Sequence, residues 1–396
     1  MTNNKPQRIG IDARFYGPLG KGLGRYTQEV VDNILKIDQV NEYVIFLGKA
    51  NFDELEIKQA NAKKVLADVS WYGLAEQLIM PFLIAREKLD LMHFPHFNVP
   101  VFCPTKFVVT IHDLILTKFP TLRATKLGPM LYFIKNLFYR LIISQAVWRA
   151  KKVITISEYT KHDLIEQFKL NPEKIIVTYE GVANLARGND HLFAAKLDPD
   201  ETLSDYQIDE PYLLYVGNAY PHKNLETLLK VFKKIYDQQT SIKLVLVGRD
   251  DYFYTRLKAF AKNLGLWTEH DNQSFKTPVI FPGYVPDQKL EILFQRALAY
   301  VFPSKYEGFG LPPLEAMSRS CPVVSSNQTS LPEILGQAAL YFEPDDEVDM
   351  TNKILKIIKD DSLREDLVAR GLKQVKKYDW WDCAIKTKAV YDQAIL

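Results

Sequence analysis

Short apolar runs recur along the chain, each closed by a polar or glycine-bearing turn and followed by a stretch with helical spacing. In the first half they fall at residues 8–13, 43–47, 91–93, 107–111, 152–156 and 175–178, and a helical pattern begins around Arg25 and Tyr26 and runs through Val30, Val31 and Leu35. A second alternation starts with Tyr212-Leu213-Leu214-Tyr215-Val216-Gly217. It continues with runs at 243–248, 279–282, 299–304, 321–325 and 339–342 and with helical spacing near 225–236 and 252–264. Strands this short and this continuously apolar, alternating with helices, predict parallel sheets covered on both faces, an α/β class. Residues 188–210 are polar, contain Asp and Gly, and lack a clear period, so they read as a linker. The division expected is a domain at 1–187, the linker at 188–210, a second domain at 211–378, and a helix at 379–396 crossing back to the first domain. That helix carries Trp380, Trp381, Ile385 and Val390 as its apolar stripe.

Composition narrows the function classes. At 396 residues the chain is long enough for two domains, and 47% apolar with 25% charged residues supports two cores. A formal net charge of +2 does not call for nucleic acid as a partner. Three cysteines, Cys103, Cys321 and Cys383, lack metal or redox spacing, which points to reduced thiols and a cytoplasmic protein. The N-terminus runs straight into a strand without an apolar signal region, and no stretch of about 18 apolar residues is present to span a membrane.

The most informative segment is Glu307-Gly308-Phe309-Gly310-Leu311-Pro312-Pro313-Leu314-Glu315, which follows a strand and leads into a helix. The glycines allow a tight turn close to a ligand, and a helix starting near Pro312-Pro313 aims N–H groups at an anion. One carboxylate precedes the loop and the other lies in the first helical turn, an arrangement suited to a phosphorylated ligand with hydroxyls. Lys223, in Pro221-His222-Lys223-Asn224 after the first strand of the second half, is placed to neutralise a leaving diphosphate, or is a solvated lysine at a helix start. The loop Gly20–Gly24 allows close backbone approach to a ligand, or is a tight turn. His112 ends a strand, where substrates are touched in such sheets, or is a structural histidine. His93 and His96 lie near the same edge, but no carboxylate or thiolate completes a zinc set with them. The only D-x-D, Asp198-Pro199-Asp200, falls in the linker and reads as a solvated turn. Residues 125–152 mix apolar residues with Lys126, Lys135, Arg140, Arg149, Lys151 and Lys152. Peripheral contact with anionic lipid is one reading, and a helix packed on its own sheet is the other.

In order and spacing these stations resemble the retaining glycosyltransferases of family 4 over nearly the whole chain. The resemblance is carried by Gly10-Ile11-Asp12-Ala13-Arg14, Gly22-Leu23-Gly24-Arg25-Tyr26, Thr110-Ile111-His112-Asp113-Leu114, Ile156-Ser157-Glu158-Tyr159-Thr160, the Lys223 loop, Phe281-Pro282-Gly283-Tyr284-Val285, the 307–315 run, and Ser325-Ser326-Asn327 through Leu331-Pro332-Glu333. It implies the GT-B architecture, two facing Rossmann-like domains with an interdomain cleft, the first binding the acceptor and the second the nucleotide sugar.

By this resemblance Glu307 contacts the donor sugar and Glu315 the ribose, backbone near Gly310 and Leu311 holds the phosphate, and Gly308 and Phe309 also bind the substrate. Lys223 stabilises the leaving diphosphate, Tyr284 and Val285 meet the base, His112 assists at the donor sugar, and Gly22 lets the first domain approach. Many relatives carry an arginine before the matching lysine. Here Asn218 and His222 stand there, with Arg249 as the replacement cation. The implied activity is transfer of a hexose, with mannose from GDP-mannose as leading donor, to a glycan or lipid-linked acceptor in polysaccharide synthesis, without metal or cofactor. The expected location is the cytoplasm, with peripheral contact at the inner face of the membrane as an extension. Alternatives are a nucleotide-sugar epimerase, a sugar phosphorylase or a non-catalytic sugar-nucleotide-binding protein.

Overall fold

The computed structural model describes residues 5–119, 129–182, 197–208, 211–238, 241–268 and 277–396, with backbone alone at Leu19, Lys21 and 129–135. The chain divides into two compact units, Met1–Gly181 with Asp379–Leu396, and Val182–Tyr378.

The first unit is built on a parallel sheet of β1 (Arg8–Asp12), β2 (Glu42–Leu47), β3 (Ala62–Leu66), β4 (Leu91–Phe94), β5 (Phe107–Ile111), β6 (Lys152–Thr155) and β7 (Ile175–Val177), in the order β3-β2-β1-β4-β5-β6-β7. The direction of winding reverses between β1 and β4, and ligands of such sheets bind beyond the strand ends at that reversal. The second unit repeats the scheme with β8 (Tyr212–Val216), β9 (Lys243–Val247), β10 (Val279–Gly283), β11 (Ala299–Phe302), β12 (Val323–Ser326) and β13 (Ala339–Phe342), in the order β10-β9-β8-β11-β12-β13. Its reversal lies between β8 and β11. The α/β class expected from the alternation is borne out, and the central strands β4, β5, β9 and β11 are buried along their whole length.

Strand β3 was not expected. It sits at the sheet edge, and Ala62-Lys63-Lys64-Val65-Leu66 lacks the apolar continuity of a central strand because only part of it is covered. Lys64 turns its ammonium to the carbonyls of Phe52 (2.8 Å) and Leu55 (3.0 Å).

The first helix, Lys21–Ile37, begins earlier than the expected start near Arg25. Gly22 and Gly24 therefore lie in its opening turns and not in a free loop. Its buried face is Tyr26, Val30, Val31, Ile34 and Leu35, a helical stripe against the sheet.

The expected linker also differs. Its described part, 197–208, contains the helix Pro199–Asp205 within the second unit. Asp198 caps that helix by accepting from the Asp200 and Glu201 N–H groups, Leu203 is buried, and Asp205 and Asp200 pair with Lys289 (2.7 Å) and Arg296 (2.9 Å) of the helix Asp287–Arg296. An Asp-Pro start and one buried leucine made a short helix that composition alone masked. The remainder of the expected linker, 188–196 with 209–210, lies outside the described residues.

The last helix, Trp380–Ile395, is capped by Asp379 and packs in the first unit. Its buried face is Trp380, Cys383, Ala384, Thr387, Val390, Tyr391 and Ala394, whereas Trp381 and Ile385, expected on the stripe, are exposed. The small side chains at 383, 384, 387 and 394 set the face, because they let the helix lie close to the sheet.

Candidate active site

Two loops leave the winding reversal of the second sheet, and they meet through one ion pair. After β8, Asn218 is fixed by its backbone, its carbonyl accepting from the buried Tyr215 hydroxyl at 2.7 Å. The chain turns through Pro221–Lys223 and reaches Asn224 at a left-handed φ of 60°, whose side chain donates to the Pro344 carbonyl at 2.9 Å. This turn carries Lys223 over the ring of Phe302, the last residue of β11, at 5.4 Å. Lys223 Nζ then donates to Glu307 Oε1 at 2.5 Å, with the two side chains only 12% and 13% exposed.

Beyond Glu307 the loop is held from behind. The Glu307 N–H donates to Thr329 Oγ1 at 3.0 Å, and the Ser330 hydroxyl donates to the carbonyls of Glu307 (3.0 Å) and Phe309 (3.1 Å). Phe309 packs its ring edge-on to Tyr378 and is buried, so only its backbone is open to a ligand. Gly310 takes a φ of 105°, and a Cβ there would meet Leu331 Cδ2 at 2.7 Å. The helix starts at Leu311 and runs to Ser318, one residue before the expected proline pair. Pro312 and Pro313 have no N–H, so the first turn offers Leu311 as its donor, a narrower anion site than the spacing suggested. Glu315 is the fifth residue of that helix and half-buried, one residue deeper than a start at Pro312 would put it and so just past the first turn.

Arg249 lies over the Tyr284 ring at 5.4 Å, both exposed beyond the ends of β9 and β10. Val285 is buried, which leaves its backbone for a ligand. His222 does not supply the missing cation: burial, reinforced by the neighbouring Lys223, lowers its pKa from 6.5 to about 4, so it is neutral near pH 7.

In the first unit His112 follows β5. Its Nε2 lies 2.9 Å from the Pro95 carbonyl and its Nδ1 3.3 Å from Glu180 Oε1, while the Tyr26 ring stands edge-on to it at 4.5 Å. Glu180 follows β7 and is buried. Sequence reading missed it, although its place just past a strand end is the signal that singled out His112. His93, within β4, engages both ring nitrogens, with the Tyr391 hydroxyl (2.7 Å) and Thr110 Oγ1 (2.9 Å). Burial takes its pKa down to about 3, so it is a neutral structural residue. Gly22 is exposed in the opening turn of its helix, where a Cβ would meet nothing within 4 Å, and Gly20 caps that helix without a side-chain hydrogen bond. Gly24 is different, since a Cβ there would meet the Gly17 carbonyl oxygen at 2.1 Å.

The structure thus brings Lys223 to Glu307, Arg249 to Tyr284, and His112 to Glu180. A cation and a carboxylate paired at a winding reversal, beside a glycine turn into a helix, can separate to take a phosphate and a hydroxyl.

The chain is similar to known proteins across both units. Residues 204–374 match the family described as Glycosyl transferases group 1, and residues 22–183 match Glycosyltransferase Family 4. The chain is 30% identical to O-antigen chain mannosyltransferase B of Escherichia coli, over 93% of this chain and 95% of that one. It is 27% identical to O-antigen chain mannosyltransferase RfbU of Salmonella typhimurium, over 92% and 94% of the two chains. In three dimensions it is similar to HepE of Anabaena, solved in complex with UDP-glucose, with a TM-score of 0.70, 16% identity, and coverage of 98% and 100%.

Proposed function

This chain belongs to the glycosyl transferases group 1 family, and from that membership we propose that it moves mannose from GDP-mannose, with retained configuration, to a hydroxyl of a glycan or lipid-linked glycan in surface-polysaccharide synthesis. That it is a glycosyltransferase of this family follows from the matches themselves. Mannose as the sugar is supported by the relatives named O-antigen chain mannosyltransferases.

The observation that carries the reading is the Lys223–Glu307 pair. A nucleotide sugar offers each partner a replacement, a phosphate oxygen for Lys223 and sugar hydroxyls for Glu307, so neither charge is left uncompensated when the donor arrives. Gly310 and Leu311 add backbone donors for the phosphate, Glu315 accepts from the ribose, and Arg249 supplies a second cation. Tyr284, with the Val285 backbone, receives the base. His112, oriented by Glu180, acts at the donor sugar, and Gly22, in the opening turn of the helix Lys21–Ile37, attracts the diphosphate.

In the transfer, the bond from the anomeric carbon to the diphosphate oxygen breaks while a bond to the acceptor oxygen forms on the same face. The acceptor proton passes to the departing diphosphate oxygen. Lys223 stabilises the charge that gathers there, and no enzyme nucleophile is required.

Peripheral contact with an anionic bilayer extends the proposal. Among the described residues no helix is long and apolar enough to cross a membrane. The first unit exposes Leu74, Leu78 and Phe82 on the helix Leu74–Glu87, Phe102 in the following loop, and Leu137, Phe138, Leu141 and Trp148 on the helix Pro129–Arg149. Val101 ties these elements into one face, its N–H donating to Gln77 Oε1 (2.8 Å) and its carbonyl accepting from Gln145 Nε2 (2.7 Å) and from Arg149 Nη1. Arg140 and Arg149 are exposed on the second helix, and 129–152 contains no acidic residue. Apolar side chains flanked by cations suit an anionic lipid surface. Lys126 lies outside the described residues, as does the side chain of Lys135.

The donor is tested by thermal-shift titration with GDP-mannose and a panel of UDP-sugars. GDP-mannose is expected to raise the unfolding temperature. Stabilisation by UDP-sugars alone overturns the donor assignment.

A further inference from the structure

A chain of hydrogen bonds crosses the C-terminal edge of the first sheet at its winding reversal. Arg14, just past β1 and almost fully covered, donates from Nε to Asp12 Oδ1 (2.8 Å) and from Nη2 to Asp12 Oδ2 (2.6 Å) and Glu76 Oε1 (2.5 Å). Glu76 Oε1 also accepts from Asn98 Nδ2 at 2.8 Å, and Glu76 Oε2 accepts from the Tyr72 N–H at 3.0 Å. A carboxylate paired with a guanidinium only accepts, so it fixes which end of the Asn98 amide faces it. The Asn98 oxygen is thereby turned to His96 Nδ1, 3.0 Å away, with the Tyr72 hydroxyl at 3.4 Å from the same nitrogen.

An oxygen acceptor opposite Nδ1 requires a proton on Nδ1. Burial keeps the imidazole neutral by lowering its pKa to about 3, and a neutral ring holds one N–H and one lone pair. Nε2 therefore carries the lone pair, and it has no hydrogen-bond partner among the described residues. His96 as a residue is half-buried, between the core and the surface. Five elements of network thus hold an acceptor atom ready that the protein does not itself use.

The surroundings are aromatic. Tyr72 stands at a φ of 61°, a left-handed conformation that is an outlier for a bulky side chain and is held here by the bond to Glu76. Its ring is 58% exposed, 5.9 Å from His96 and 5.8 Å from Phe97. Trp71 stacks on Phe15 at 4.1 Å, and Phe15 lies 5.4 Å from His96. On its other side the His96 ring lies 6.5 Å from that of His112. An exposed aromatic face beside a fixed acceptor is the chemistry that recognises a pyranose, whose C–H face stacks while its hydroxyls donate.

We propose that Tyr72 and His96 form a subsite for the acceptor sugar, the pyranose stacking on Tyr72 and one of its hydroxyls donating to His96 Nε2. The subsite rests on the transferase reading above and adds to it the chemical class of the acceptor end, a pyranoside. Asp12, Arg14, Glu76 and Asn98 are positioning residues that act through His96.

The test uses the full chain, methyl α-mannopyranoside as probe, and two variants, His96→Ala and Tyr72→Asn. Asparagine tolerates the left-handed backbone, and the exposed Tyr72 ring contributes little to the core, so the second variant separates binding from folding. Ligand-observed NMR gives the probe's affinity, and hydrolysis of GDP-mannose without acceptor reports the donor site. Both variants are expected to weaken probe binding about tenfold, the scale of one lost stacking contact and one hydrogen bond, and donor hydrolysis is expected to persist in Tyr72→Asn, whose side chain has no ring contact with His112. Unaltered probe affinity in either variant overturns the subsite, as does a wild-type chain that binds no pyranoside. A wild-type chain that binds the probe yet turns over no nucleotide sugar overturns the transferase reading and leaves the subsite as a saccharide site without that reaction.

Discussion

Lys223 and Glu307, 84 residues apart in sequence, meet at 2.5 Å with nearly nine-tenths of each side chain covered. A pair held this far from water is costly to break from one side, because the remaining charge stays buried.

Lys223→Ala and Glu307→Ala are each expected to lower turnover about 10²–10³-fold, the scale of one lost electrostatic contact to the developing charge. Each should also cost about 3 kcal/mol or more in stability, with the double variant Lys223→Met/Glu307→Gln less destabilised than the sum of the single changes. Initial rates with a purified acceptor and urea unfolding curves measure both. Full activity in Glu307→Ala would show that the site lies elsewhere.

The glycines divide by what a side chain would meet. Gly24→Ala, facing the Gly17 carbonyl, should lower the unfolding temperature, and Gly310→Ala adds the strain of a φ of 105° and should abolish donor binding. Gly22→Ala meets open space, so its stability should stay unchanged while turnover falls. Calorimetry alongside rate measurements separates the three. Unchanged turnover in Gly22→Ala removes that residue from the site.

Buried neutral histidines make stability fall on acidification. His93 and His96 have folded pKa values near 3 and His222 near 4, against 6.5 when exposed. Between these limits the unfolded chain binds more protons, so their contribution is complete above about pH 6.5 and is lost progressively toward pH 3. Urea midpoints are expected to drop through that window, and His93→Gln should flatten the slope. A midpoint that does not change between pH 6.5 and 4 contradicts this.

The apolar face of the first unit predicts binding to vesicles. Sedimentation with phosphatidylglycerol-rich vesicles should capture the protein, and added salt should release part of it by screening Arg140 and Arg149. Leu78→Ser/Phe82→Ser/Phe102→Ser should reduce capture about tenfold or more, since each buried side chain is worth roughly 1.5–3 kcal/mol. Equal capture by neutral and anionic vesicles would remove the charge component.

Much of this molecule was legible because buried parallel strands are continuous apolar runs, and because a strand, a glycine turn and a helix in succession mark a ligand edge. The sequence order placed Glu307 and Lys223 on loops that the sheet winding then joined. Edge strand β3 was hidden by Lys63 and Lys64, which need no burial. The stripe of the last helix was misread because bulk drew attention to Trp381 and Ile385, whereas Ala384 and Thr387 mark the face in contact. The route from Arg14 to His96 was invisible for another reason. Arg14 and Glu76 are 62 residues apart, and no local pattern records a hydrogen bond between distant loops.

The first unit begins at Met1 but is completed by Asp379–Leu396. During synthesis its helix Lys21–Ile37 and its buried His93 must wait, without Trp380 and Tyr391, until the entire second unit has been made. A stop codon at position 379 would spare every residue of the candidate donor loops yet leave the other unit without its closing helix.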